Sequence, residues 1–92
     1  VGQTTGVSLT IDGENLTEYS HTYTEYGNVK YYDLTSARLS SGSTIEASFS
    51  GANIYMNGSN TSTYAITSST QFVRVIVQSG NCAPYIALLK IA

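Results

Sequence analysis

An antiparallel β-sandwich is the fold this sequence predicts, and three observations predict it. Apolar residues recur at period two instead of 3.6, Gly and Asn punctuate the chain roughly every eight to twelve residues, and no stretch of even about ten residues carries a helical pattern. Together they imply about eight or nine short strands wrapped as a single jelly-roll-like sandwich. The same alternation is also compatible with closure into a small barrel.

The elements follow in order. Val7, Leu9 and Ile11 alternate with Ser8 and Thr10 as a first strand, which Asp12-Gly13 ends with turn chemistry. Leu16 to Tyr26 (LTEYSHTYTEY) puts Tyr19, His21 and Tyr23 at one parity, with Glu18, Ser20, Thr22 and Thr24 at the other. Gly27-Asn28 breaks this run and Val29 to Leu34 resumes it. Thr35 to Gly42 is a polar connection pinned by Leu39 and long enough to cross between sheets.

Ile45, Ala47 and Phe49 then alternate with Glu46 and Ser48, and Gly51-Ala52 interrupts. Asn53 to Met56 runs into Asn57-Gly58, the strongest hairpin signal in the chain, with Tyr64 and Ile66 expected on its return arm. Gln71 to Gln78 (QFVRVIVQ) is apolar at nearly both parities, as for a central strand covered on two sides. Pro84 follows Gly80-Asn81 and opens a last strand, Tyr85 to Ile91, at the position where its missing N–H does least harm. Arg74 and Lys90 interrupt apolar strands, and their heads are expected to snorkel to a sheet edge.

Ninety-two residues make one domain, so 1–92 is read as a single module, and its start at Val1-Gly2-Gln3 suggests excision from a longer polypeptide. Only 11% of residues are charged, while 13 Ser and 12 Thr supply uncharged polarity. A net charge of −2 without a basic cluster argues against a nucleic-acid partner, and no apolar run reaches the length of a helical membrane span. One His and one Cys leave no Cys/His zinc set and no ordinary nucleophile–base pair. Two-carboxylate glycosidase chemistry would need a facing acidic pair in a cleft that so short a chain rarely builds. The expectation is a non-enzymatic module, with Cys82 a free thiol beside a turn. Its low thiol and high Ser/Thr content fits a secreted or surface-borne bacterial protein.

Tyrosine is the prominent side chain: eight of them, with two Phe and no Trp. A Tyr ring stacks on the C–H face of a sugar and its hydroxyl bonds the polyol edge, although a single Tyr also serves as an ordinary half-buried strand residue. Clustering gives the reading its content. Tyr19, His21 and Tyr23 share a parity, and a hairpin at Gly27-Asn28 would bring Tyr31 or Tyr32 opposite them. Lys30, Asp33, Arg38 and Asn53 would add orienting polar groups, the alternative being that one parity of these rings packs into the core. Asp12-Gly13-Glu14-Asn15 offers oxygen ligands at the density a structural calcium needs, or is simply a solvated turn. No other cofactor is expected. The sequons at Asn15, Asn57 and Asn60 matter only on a eukaryotic secretory route.

The segments YYDLTSARLSSGSTIEASFSG, NIYMNGSN, STQFVRVIVQSG and APYIALLKI, closing on a Pro-Tyr-Ile-x-Leu-x-x-Ile strand, resemble the final strands of the carbohydrate-binding modules of secreted bacterial polysaccharide-degrading enzymes. The resemblance spans about half the chain, which lacks the Trp of that class and is shorter than its common members. It implies a jelly-roll accessory module that tethers its parent to a polysaccharide, with catalytic or other modules of the same chain as its partners. Bacterial immunoglobulin-like and cadherin-like spacer domains are similar in length and Thr content. They imply a structural or adhesive role without a small ligand.

Overall fold

The computed structural model describes residues 4–16, 22–26, 29–35 and 39–92, with 22–26 described through their backbone. Its nine strands are β1 (Ser8–Ile11), β2 (Glu14–Asn15), β3 (Thr22–Tyr26), β4 (Val29–Asp33), β5 (Thr44–Ser48), β6 (Asn53–Met56), β7 (Thr63–Ala65), β8 (Phe72–Gln78) and β9 (Tyr85–Lys90). They form two sheets, β2-β1-β5-β7 and β3-β4-β9-β8-β6. The fold is an all-β sandwich, as the period-two pattern requires.

The core lies between the sheets. From the four-stranded sheet, Leu9 and Ile11 of β1 stand opposite Ala47 and Ile45 of β5, and all four are buried. From the five-stranded sheet, Val73, Val75 and Val77 of β8 interleave with Tyr85, Ala87 and Leu89 of β9, and Met56 of β6 is registered against Val75. Each fully buried Val, Leu or Ile contributes roughly 1.5–3 kcal/mol, and strict alternation delivers one every second residue. Leu16, Leu34 and Ile66 close the ends of this core from outside the strands.

Two tight turns share one device. Asp12 and Asn57 each adopt positive φ (51° and 50°) before a glycine at φ 84°, the conformation that a two-residue hairpin loop of type I′ demands. In both, the turn residue also locks the next strand over. Asp12 donates its N–H to the Thr44 carbonyl (2.9 Å), and its Oδ1 accepts the Thr44 N–H (2.8 Å). Asn57 donates to the Arg74 carbonyl (2.9 Å) and accepts the Arg74 N–H at Oδ1 (2.9 Å).

The connectivity departs from expectation in three places. The Asn57-Gly58 turn forms, but its return is a single bridge, Met56 with Ser59, after which the chain leaves for the other sheet. Tyr64 and Ile66 therefore do not lie on a return arm against β6. β7 pairs with β5, which sends Tyr64 and Ile66 toward the core from the opposite side. Secondly, the sandwich is not purely antiparallel, because β4 runs parallel to β9 from Val29↔Ile86 to Asp33↔Lys90. Local patterning cannot show this, since four strands drawn from both sheets, β5 to β8, separate the two in the chain. Thirdly, β8 is central in its sheet but is covered on one face rather than two: its second parity, Phe72, Arg74, Ile76 and Gln78, turns away from the core. The 35–42 connection does cross between sheets, joining β4 to β5.

Taken in chain order, β5 and β7 sit side by side in one sheet and β6, β8 and β9 in the other. That is the arrangement of strands B, E and C, F, G in immunoglobulin-type sandwiches.

Candidate functional site

The outer face of the five-stranded sheet is the candidate. Because cross-strand partners share a face, the ladder register reads out whole rows across it. One row is Val29 of β4, Ile86 of β9, Ile76 of β8 and Tyr55 of β6, each half-buried. The next holds Tyr31, Leu88 and Arg74, with Tyr31 39% exposed. A third holds Asp33, Lys90 and Phe72, with Phe72 55% exposed. Gln78 and Asn53 pair in the row at the other end. The result is an apolar field carrying three rings, bordered by an amide pair at one end and by charged groups at the other. Among the described residues this field is half-buried, with Tyr31 and Phe72 exposed, and apolar surface gathered on one outer face of a domain is a candidate contact surface.

The polar rim is partly preorganised. The Asp33 carboxylate accepts the Thr35 hydroxyl (2.7 Å) and the Thr35 backbone N–H (3.1 Å). Those bonds, the hydroxyl first, hold its pKa below the ordinary 3.8 against the smaller opposing effect of burial, and attraction to Lys90 adds to the lowering. Asp33 is thus a fixed anion at neutral pH. Arg74 and Lys90 are exposed on the outer face of interior strands, not at a sheet edge as the sequence suggested.

The predicted site residues separate. Tyr31 and Asp33 lie on the outer face, and Asn53 lies on the same face at the far edge strand. Tyr32 and Lys30 have the opposite parity. Tyr32 packs against the core cluster, and the Lys30 ammonium sits 5.0 Å from the Tyr85 ring centroid, a cation–π contact at the end of the core. Tyr31 and Tyr32 therefore cannot join one platform, which is what strand alternation demands of neighbours. Tyr23 is in β3, registered opposite Tyr32. Tyr19, His21 and Arg38 lie outside the described residues.

Other candidates resolve locally. The Asp12-Gly13-Glu14-Asn15 stretch is the β1–β2 hairpin, and one Asp12 oxygen is already committed to the Thr44 N–H. Among the described residues, no three His, Cys, Asp or Glu side chains gather as a metal site would require. Cys82 is a half-buried free thiol in a turn closed by its N–H to the Ser79 carbonyl, and Gln78 Nε2 donates to the carbonyls of Gly80 and Cys82.

Sequence reasoning missed Tyr55, Phe72, Ile76, Ile86, Leu88 and Val29 as surface residues. The signal was present in QFVRVIVQ and YIALLK, which are apolar at both parities. Two-sided apolar strands imply cover on both sides, yet a two-layer sandwich of 92 residues has no third layer to supply it. The second parity was the surface to look for.

Comparison with protein-family models, curated proteins and solved structures finds no match to this chain.

Proposed function

We propose that this chain is a non-catalytic carbohydrate-binding module of a secreted or surface-borne bacterial protein, tethering its parent to a polysaccharide through the outer face of the five-stranded sheet. One observation carries the proposal: Tyr31, Tyr55 and Phe72 share the outer face of the sheet with Val29, Ile76, Ile86 and Leu88, apart from the core. An open sheet face suits an extended polymer better than a small molecule, which wants concavity. Ring faces would stack on sugar C–H faces, and Asp33, Arg74 and Asn53 would orient the hydroxyls. Two or three rings would carry most of the affinity.

The test is affinity electrophoresis on a panel of neutral and acidic polysaccharides. We expect retardation on at least one, reduced in Tyr31→Ala and Phe72→Ala.

A second reading draws on the immunoglobulin-type placement of β5 to β9: a bacterial Ig-like spacer or adhesive domain, with the same face packed on a neighbouring domain or protein surface. Retardation on no polysaccharide, together with concentration-dependent self-association or docking to an adjoining module, would favour it.

A further inference from the structure

A second surface lies around the edge of the same sheet. An open cleft of about 400 Å³ is lined by Ala52, Asn53 and Ile54 at the start of β6 and by Asn60, Thr61 and Ser62 on the way into β7. It sits between an edge strand of one sheet and the approach to an edge strand of the other. The volume falls in the range of small-ligand sites, roughly 300–1,000 Å³.

Its chemistry is specific. Ala52 and Ile54 pack against the core and leave a small aliphatic strip in a mostly polar lining. The remaining four side chains are two carboxamides and two hydroxyls, none of which ionises. Thr61 is occupied in holding the loop: its hydroxyl donates to the Thr63 carbonyl and accepts the Thr63 N–H, while its own N–H bonds the Ser59 carbonyl (2.9 Å). The Ser62 carbonyl accepts the Ala47 N–H (2.9 Å), so the wall is tied to β5 as well. The side chains of Asn53, Asn60 and Ser62 make no hydrogen bond to protein among the described residues. Two carboxamides and a hydroxyl, unengaged and mounted on a pinned frame beside apolar surface, match a ligand with a C–H face and a rim of neutral hydroxyls.

We infer that this cleft is a subsite for one unit of a neutral sugar, taking the end or a branch of a chain whose length lies on the adjoining face. Asn53 borders both surfaces, two residues from Tyr55 on one strand face, which makes them continuous. The inference rests on the carbohydrate reading of that face. An uncharged lining discriminates against acidic sugars, whose carboxylate would find no cationic partner in the cleft.

The experiment is a titration of the isotopically labelled 92-residue chain, made in a bacterial host so that the Asn60 sequon stays bare, with glucose, galactose, mannose and xylose and separately with glucuronate. We expect at least one neutral sugar to shift the Asn53 and Asn60 side-chain amides and the Thr61 and Ser62 backbone amides saturably, and glucuronate to bind more weakly than that sugar. Asn53→Ala and Asn60→Ala should each weaken that binding about two- to tenfold, the worth of one hydrogen bond, while leaving the thermal midpoint in place. Silence of all four residues with every neutral sugar overturns the inference, as does undiminished shifting in the Asn53→Ala/Asn60→Ala double variant or glucuronate binding as tight as the best neutral sugar. Polysaccharide retention through Tyr31 and Phe72 with a silent cleft removes this subsite alone. Cleft shifts without ring-dependent retention leave the subsite standing and remove the sheet-face reading.

Discussion

The outer faces of the two sheets follow different rules. On the four-stranded sheet the outward residues are Ser8 and Thr10 of β1, Thr44, Glu46 and Ser48 of β5, and Thr63 and Ala65 of β7, small or polar throughout. On the five-stranded sheet the same parity carries Val29, Tyr31, Tyr55, Phe72, Ile76, Ile86 and Leu88. Both sheets bury their inner faces against one core, so stability explains the inner faces equally and the outer faces not at all. An antiparallel sheet with one face in water ordinarily alternates apolar and polar, as the first sheet does. The second sheet's departure from that rule is what the proposed binding face rests on.

Substitutions at paired positions test the comparison, and the largest effects belong to the shared interior. Ile45→Ala from the first sheet and Leu89→Ala from the second remove fully buried side chains and should each cost about 2–5 kcal/mol in chemical denaturation. Near-equal losses are expected, because both residues sit in the same core. A tolerant Leu89 would mean that the second sheet contributes little to folding and would break the symmetry of the inner faces.

The outer faces should separate binding from stability. Tyr31→Ala and Phe72→Ala should each lower polysaccharide affinity by about 1–3 kcal/mol in affinity electrophoresis, with less than about 1 kcal/mol lost from folding. Thr10→Ala and Glu46→Ala, on the other outer face, should change neither beyond about 0.5 kcal/mol. Marked destabilisation by the ring variants with retention unaltered would assign those rings to packing and remove the functional contrast between the faces.

The turns are where the two sheets should look alike. Asp12→Ala deletes one side-chain bond to the neighbouring strand and Asn57→Ala deletes two, and each leaves a Cβ-bearing residue at positive φ without the local bonding that favours it. A loss of about 1–2 kcal/mol is expected from each, read as a lowered denaturation midpoint. A loss confined to one of them would show that the second sheet's edge is held by something other than this lock.

The smallest effect concerns Asp33. Its folded pKa lies below its ordinary 3.8, so it stabilises the fold fully above that value, and the contribution fades as pH falls through the lower folded value. Asp33→Asn should therefore show a slightly lower thermal midpoint than wild type at neutral pH, with the gap closing on acidification below about pH 4. A gap that persists at the acid end would mean that the charge is not what Asp33 contributes.

Particular residues mark how far the sequence could be read. Leu9, Ile11, Ile45 and Ala47 were legible as core because their alternation is local and the turn after Ile11 sets its phase. Lys30, Tyr31, Tyr32 and Asp33 were legible only as a group with two parities, since no local signal says which parity faces inward. The ladder to β9 decides it, placing Tyr32 beside Leu89 and Tyr31 beside Leu88. The cleft was invisible for a similar reason: Asn53 and Asn60 belong to segments that only the crossing between sheets brings together.

By itself, then, the sequence determined the all-β class, the spacing of eight or nine strands, the two tight turns and the inner residues of β1 and β5, because period two, turn chemistry and steric preference act within a few residues. The tertiary structure alone decided the sheet to which β7 belongs, the parallel pairing of β4 with β9, and the opening of the second parity of β8 and β9 outward. Those outcomes depend on contacts between strands far apart in the chain. A strand apolar on both sides carries no mark of which side a partner will cover.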